Sequence, residues 1–257
     1  MWTKTKIWVT GLSLLAVTAT VIVAWMSFYP AVKDTYFQLN YQRFQTVPKN
    51  LLVVRPTHFS YGTGSFTAST SPKPGQNVMR MVGRNVPLEQ VMAMAYGASS
   101  YRVVLPLIKP KGNFDYLVTV PDRQRERLQA AIKKKLGYTA HWEDRETDVL
   151  QLKTIMPDPP AFKLSTADHE NVSFTNKTYQ FTHMRPAFIA GFLESSFKQP
   201  VVDRTDLTNF YDFSVAMTWR GRNGPDQAAL KTVLANLGLK LEPAAESIRM
   251  LVVEEVR

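Results

Sequence analysis

The sequence predicts an α+β protein in which a single N-terminal transmembrane helix precedes two tandem α+β repeats. Each repeat is predicted as strand, helix, strands, helix and closing hairpin. Three observations predict this organisation: a long uncharged run near the N-terminus, two later segments that share landmarks in one order, and no catalytic signature in either segment. The predicted boundaries are a transmembrane anchor at 1–30, an extended arm or linker at 31–77, a first repeat at 78–155, a linker at 156–177 and a second repeat at 178–257.

Residues 7–28 carry no charged side chain. At about 1.5 Å per residue, a helix of this length spans the roughly 30 Å hydrocarbon core of a bilayer. Aromatic side chains stand near both ends, where rings favour the membrane interface. The predicted anchor and interface residues are Trp8, Leu12, Leu15, Val21, Trp25, Phe28 and Tyr29. A cleaved signal peptide is the alternative, but the run is long for one and lacks a small-x-small cleavage site.

The distribution of charge predicts the membrane topology and limits the classes of partner that we expect. Lys4 and Lys6 precede the apolar run, whereas Lys33 and Asp34 cancel just after it. The positive-inside bias therefore predicts a bacterial inner-membrane protein with a cytoplasmic N-terminus and the bulk of the chain in the periplasm. The net charge of +10 suits anionic lipid or an acidic protein surface, and no nucleic acid partner is expected at that location. The absence of cysteine excludes disulfides, thiolate zinc sites and Cys-ligated iron–sulfur clusters.

The two repeats are predicted from landmarks that recur in the same order, the sign of a repeated architecture. In each copy a proline opens the first helix and a glycine ends the second, as helix capping favours. The closing hairpins are predicted at 139–153 and 240–254. The matched landmarks are Pro87 and Pro186, Val103 and Val201, Phe114-Asp115-Tyr116 and Tyr211-Asp212-Phe213, and Leu136-Gly137 and Leu237-Gly238.

Three carboxylates in ten residues stand out in the second copy: Asp203, Asp206 and Asp212. They are compatible with a metal loop, an acid/base pair or an ordinary turn. The corresponding loop of the first copy contains no acid, and the spacing lacks the regular pattern and distal Glu of a calcium loop. Asp side chains suit turns because they bind nearby backbone N–H groups. The sequence therefore predicts a turn and no bound metal.

No phosphate loop, dinucleotide fingerprint, zincin motif or nucleophile elbow is present. We therefore predict no catalytic residue, no cofactor and no enzyme activity. Glu143, Asp144 and Glu146 are predicted at a solvated hairpin tip, and His141 is interpreted as structural.

The strongest surface signal is the basic helix predicted at 122–137. It is either a solvated face or a docking surface for anionic headgroups or an acidic partner. The candidate partner-docking residues are Arg123, Arg125, Arg127, Lys133, Lys134 and Lys135.

The run PVVDRTDLTNFYDFSVAMTW, followed by LGLKLEP and MLVVEEV, resembles the C-terminal part of a bacterial family of unknown function that is called soil-associated. The resemblance covers about residues 78–257 and departs at Glu254 and Glu255, where the family has Asp-His. It implies a fold and an exported location but no reaction. NVPLEQVMAMAYG is similar, over one helix and its flanks, to the small N-terminal modules of secretins and TonB-dependent receptors, which bind proteins.

Together these patterns favour a non-enzymatic accessory or scaffold subunit, anchored in the membrane and docked on the periplasmic side of a larger inner-membrane complex. Photosynthetic and respiratory assemblies are both suitable hosts, so the expected partners are the subunits of such a complex and the bilayer. A cell-envelope ligand- or peptide-binding sensor module is the first alternative, and it requires a pocket with apolar walls. A hydrolase with a dispersed site is the second alternative, because distant triads leave no local motif.

Overall fold

The computed structural model describes residues 37, 47–57, 66–70 (backbone only), 80–108, 111–175, 178–216 and 227–256. The apolar run 7–28 and its interface residues, from Trp8 to Tyr29, lie outside these ranges. Among the helices that are described, none is long and apolar enough to cross a membrane.

Twelve strands and four α-helices make up the regular structure of the described residues. The strands are β1 (Leu52–Pro56), β2 (Phe66–Thr70), β3 (Arg80–Val86), β4 (Val103–Val104), β5 (Phe114–Val118), β6 (Tyr138–Thr154), β7 (Lys163–Leu164), β8 (Asn171–Thr175), β9 (Thr178–Met184), β10 (Val201–Arg204), β11 (Tyr211–Ala216) and β12 (Leu239–Glu255). The helices are α1 (Leu88–Tyr96), α2 (Gln124–Leu136), α3 (Ala187–Phe197) and α4 (Gln227–Asn236).

The predicted fold class is wrong, because sheet predominates over helix and the strands form three sheets. The predicted transmembrane helix and tandem α+β repeats are not supported. The two predicted closing hairpins are instead β6 and β12, continuous 17-residue strands that pair with each other in antiparallel register from Leu239↔Thr154 to Glu255↔Tyr138. A tight hairpin turn needs residues with positive φ, usually Gly or Asn. Neither strand contains one.

Two of the three sheets share one strand pattern. Their orders are β1-β5-β3-β2 and β7-β11-β9-β8, so a central antiparallel pair is flanked in each sheet by two strands that precede it in the chain. The third sheet has the order β10-β6-β12-β4, and each long strand carries a short parallel strand on its outer side. Pro243 in β12 lies where β4 does not reach, so its missing N–H leaves no ladder hydrogen bond unmade.

The tertiary contacts divide the chain into two units. Unit 1 comprises the described residues within Met1–Val91 and Pro110–Gly137, and it holds the sheet of β1, β5, β3 and β2 together with α2. Unit 2 comprises Met92–Lys109 and the described residues within Tyr138–Arg257, and it holds the other two sheets with α3 and α4. The core of unit 2 is continuous from Leu152 in β6 through Phe213 in β11 to Leu234 in α4.

Candidate functional site

A cleft lined by aliphatic and aromatic residues lies in unit 2, between the sheet β7-β11-β9-β8 and the helices α3 and α4. Its volume is about 160 Å³. The lining residues are Val172, Tyr179, Phe181, Phe188, Ile189, Phe192, Leu193, Phe213, Val215, Leu230, Val233, Leu234 and Leu237. We call this feature the aromatic cleft.

The sequence forms these walls through two simple periodicities. On α4 and the residue that follows it, Leu230, Val233, Leu234 and Leu237 keep the i, i+3, i+4, i+7 spacing that places side chains on one helical face. On β8, β9 and β11 the cleft residues alternate with other side chains, and alternate residues of a strand point to the same face of the sheet.

Stacked and tilted aromatic rings form the floor of the aromatic cleft. The rings of Phe181 and Phe213 stack with their centroids 4.7 Å apart, and the ring of Phe188 lies 5.8 Å from that of Phe181. Such offset and tilted pairs are favourable beyond the area they bury. The floor therefore presents stacked rings as a preformed surface.

The aromatic cleft opens toward solvent at its β8 side. Val172 is 45% exposed and Phe188 is 47% exposed, although both contribute to an apolar wall. Beside them Phe174 is 56% exposed, and its ring lies 4.6 Å from that of Tyr179. Three large apolar side chains at one rim are unusual for a solvent-facing surface and mark binding sites more often than single exposed residues do.

The site lies within a region that is shared with other proteins. A family described as proteins of unknown function, DUF3738, matches residues 89–256. The chain belongs to the DUF3738 family. The expected membership in a family of unknown function is confirmed, whereas the soil-bacterial origin and the similarity to secretin and TonB-receptor modules stay predictions. Comparison with curated proteins and with solved structures gives no match.

Buried carboxylates in the DUF3738 chain have structural partners. Glu194 of α3 is 3% exposed and accepts hydrogen bonds from Nε of Arg102 at 2.7 Å and from the backbone N–H of Val201 at 3.1 Å. The same guanidinium donates to the carbonyl of Val201 at 2.8 Å. This network ties α3 to β10 and satisfies the buried charge, as a buried carboxylate requires.

The three acidic residues predicted to form a turn are separated by the fold. Asp203 accepts hydrogen bonds from the N–H and hydroxyl of Thr205, at 3.0 and 2.7 Å. Asp206 has a φ of 59° in the following turn. Asp212 lies on β11 and accepts a 2.9 Å hydrogen bond from the backbone N–H of His183. In the described part of the chain, no group of three His, Cys, Asp or Glu residues could hold a metal ion.

Asp212 holds an irregular strand position. His183 has a φ of 54° where the β9–β11 register shifts, and its N–H turns toward the carboxylate. A hydrogen bond from Ser165, and then that from His183, lower the pKa of Asp212. The His183 ring stacks on Phe210 with centroids 4.1 Å apart. Both residues therefore support the irregular end of β9, where its register with β11 shifts.

The cluster predicted at a hairpin tip lies on the continuous strand β6. Glu143 receives hydrogen bonds from Arg145 and from His141, which lower its pKa. Asp144 stands opposite Arg249 in the β6–β12 register, and the Arg249 guanidinium lies 5.3 Å from the centre of the Trp142 ring. The prediction of a hairpin tip was wrong, because alternating charges pair across two long strands without a turn.

The six predicted partner-docking residues all belong to unit 1 and are exposed. Arg123 precedes α2, and the other five, from Arg125 to Lys135, lie on it, while Leu128, Ala131 and Ile132 form its buried stripe. Only one salt bridge involves these cations within the described residues, that of Arg127 with Asp122 at 2.8 Å. The basic helix therefore presents excess positive charge to solvent.

Proposed function

We propose that the protein is a non-enzymatic binding module in which the aromatic cleft captures an apolar side chain of a protein partner. The observation that carries the proposal is the cleft itself: thirteen apolar lining residues around about 160 Å³. An apolar protein cavity of about 150 Å³ accommodates benzene. The aromatic cleft thus has room for about one phenyl ring.

The lining favours binding over chemistry. General acid/base and nucleophilic catalysis need a titratable or nucleophilic group beside the reacting atoms. The only ionisable group among the lining residues is the phenol of Tyr179. A dispersed hydrolase site would rest on Asp203, Asp206 or His183, and none of these residues lines the aromatic cleft.

A protein-binding cleft would supply the recognition surface that the hypothesis of an accessory or scaffold subunit requires. Such a subunit needs a surface that recognises a partner without altering it, and buried aromatic anchors supply most of the binding energy at protein interfaces. We include in the proposal that the partner belongs to a cell-envelope complex on the periplasmic side of the inner membrane. The envelope sensor module would use the same cleft, with a smaller ligand.

The test uses toluene as a probe of the aromatic cleft in the purified full-length chain. A ligand that binds only the native state slows the opening of the elements that it contacts. We expect toluene to slow amide hydrogen exchange in α3 and α4 of the wild type. Val233→Phe places a ring inside the cleft and should abolish this protection. Ile155→Phe, at a half-exposed position outside the cleft, is the matched control and should retain it.

Equal protection of the wild type and Val233→Phe would contradict the proposal, because toluene would then act elsewhere. The absence of protection in the wild type at a toluene concentration near saturation would contradict it as well.

A second function, docking of the basic helix on an anionic surface, is favoured by the exposed cations of α2. Surface charges of this kind act through attraction that salt screens. We expect the full-length chain to bind vesicles that contain phosphatidylserine and to lose binding as salt is raised. Lys133→Glu combined with Lys134→Glu should weaken the binding at least five-fold. The control, Lys231→Glu on α4, should leave it unchanged, and equal losses would count against α2 as the docking surface.

A further inference from the structure

Strand β8 ends its sheet without the features that usually protect an edge. In the described part of the chain no strand pairs with its outer side. Natural edge strands are blunted by charged residues, proline or bulges, because an open edge pairs with other strands. The β8 sequence NVSFT contains no charge and no proline, and its register with β9 is regular. This edge is therefore suited to the addition of another strand.

The side chains of β8 connect that edge to the aromatic cleft. Val172 lies opposite Phe181, and Phe174 lies opposite Tyr179, so both apolar side chains are on the face that carries the cleft. Asn171, Ser173 and Thr175 point to the other face, since successive residues alternate. A strand added beside β8 with an apolar residue next to Val172 would place that residue at the open side of the cleft.

We propose that the added strand is β8 of a second copy of this chain, paired antiparallel about a two-fold axis at Ser173, with Phe174 of each copy entering the aromatic cleft of the other. This inference rests on the proposed function and adds a second copy of the chain to the partners of the cleft. The pairing is self-complementary: Val172 of one copy stands opposite Phe174 of the other, and Asn171 stands opposite Thr175. Isologous contacts of this kind close as dimers.

Charge favours the antiparallel alignment. In the sequence Asp168 and Glu170 precede β8, and Lys177 follows it. An antiparallel pair brings the acidic end of one strand next to the basic end of the other, whereas a parallel pair would place like charges side by side. Opposite charges on neighbouring strands stabilise pairing and like charges oppose it.

The apolar area that the dimer would bury determines how stable it should be. Val172, Phe174 and Phe188 are each about half exposed, so covering them removes roughly 250 Å² of apolar surface per copy, given the 150–250 Å² of a whole aromatic side chain. Stable interfaces bury about 800 Å² per partner. The dimer is accordingly weak and dependent on concentration.

The absence of cysteine makes disulfide cross-linking a direct test of this register. Antiparallel partners have Cα atoms about 4.5–5.5 Å apart, within the range of a disulfide. Ser173→Cys in the purified full-length chain should therefore give a covalent dimer under mild oxidation at high protein concentration. Asn171→Cys is the matched control on the same strand and face. Its Cα lies roughly 14 Å along the strand from the Cα of Asn171 in the second copy, four residues at about 3.4 Å each, which is beyond disulfide reach.

The proposed register also predicts which other pair of positions should cross-link. Asn171→Cys mixed with Thr175→Cys should cross-link as efficiently as Ser173→Cys does with itself. Adding Phe174→Ser to Ser173→Cys should lower the yield at least five-fold, because the ring that enters the aromatic cleft is removed.

Two results would overturn the proposal: failure of Ser173→Cys to cross-link faster than Asn171→Cys, or a yield unaffected by Phe174→Ser. If toluene protects α3 and α4 while Ser173→Cys does not cross-link, the binding function stands and the occupant is a strand of a different protein. If neither is observed, both proposals fail.

Discussion

Replacing Asp115 by alanine should destabilise unit 1 more than any exposed substitution. Asp115 lies on β5, is fully buried, and accepts hydrogen bonds from the backbone N–H of Asn85 and the hydroxyl of Thr57, both at 2.9 Å. The guanidinium of Arg55 lies 3.4 Å from its other oxygen. Asn85 has a φ of 52° at the irregular end of β3. One carboxylate thus joins three strands.

The magnitude follows from the groups that lose this acceptor. A buried donor left without a partner costs about 1–3 kcal/mol, and Asn85 and Thr57 each contribute one. Arg55 is only 14% exposed, and removing one member of a buried ion pair typically costs about 3–5 kcal/mol. Because the three contacts belong to one network and their contributions overlap, we expect a total loss of about 3–5 kcal/mol. This is a large part of the 5–15 kcal/mol that stabilises ordinary domains.

Amide hydrogen exchange of the full-length chain, followed in peptides from β3 and β5, measures this loss locally. Asp122→Ala is the control, because Asp122 has one exposed ion pair with Arg127. Pairs of that kind contribute about 0–1 kcal/mol. A loss below about 1 kcal/mol for Asp115→Ala, or equal losses in the two variants, would refute the reasoning.

Two further predictions concern a close contact and a carboxylate. Gly83→Ala should destabilise unit 1 by about 3 kcal/mol or more in chemical denaturation, because its Cβ would overlap the buried ring of Tyr116; Gly191→Ala, with open space around the new Cβ, should be neutral or stabilising. The ammonium group of Lys153, followed by a second lysine, lowers the pKa of Glu242 to about 2. The ionised Glu242 carboxylate should therefore stabilise the fold above the ordinary glutamate pKa of about 4.3, and this stabilisation should disappear as the pH falls toward 2. Carbon NMR should show a higher pKa for Glu242 in the Lys153→Met variant.

Several elements could be predicted from local patterns. The alternating runs FDYLVTV and YDFSVAM contain β5 and β11, and the periodic helix predicted at 122–137 is α2 at Gln124–Leu136. In each of these segments the spacing of apolar residues alone indicates a strand or a helix, and the tertiary contacts are consistent with it. Gly137, with a φ of 75°, ends α2 in the left-handed conformation that favours glycine there.

The error in the fold class came from interpreting charge as a turn. Glu143, Asp144 and Glu146 interrupt the apolar pattern of β6, and a cluster of acids in the middle of a segment is typical of a solvated loop. The partner strand β12 supplies the explanation, since Arg249 lies opposite Asp144 in their shared register. That pairing spans about a hundred residues of sequence, and no local window contains it.

The aromatic cleft was missed for a related reason. Its walls come from five elements between Val172 and Leu237, and β8 falls in the stretch predicted as linker. Each element alone gives an ordinary signal: alternation in NVSFT, alternation in β9, and a stripe of leucine and valine on α4. What distinguishes Val172 and Phe174 is that this half-apolar strand ends the sheet with its apolar face uncovered by a further described strand.

The position of β8 at the end of its sheet is what makes its apolar side chains a candidate binding surface and not part of a core. An alternating strand inside a sheet has its apolar face covered by neighbours on both sides, and its exposure is then low. At the end of a sheet the same pattern leaves apolar area that only another strand can cover together with its backbone hydrogen bonds. Covering apolar surface is favourable by about 25 cal/mol per Å², so an edge of this composition favours association with a partner that covers it. The proposed dimer thus gives the composition of NVSFT a physical rationale that the isolated chain does not.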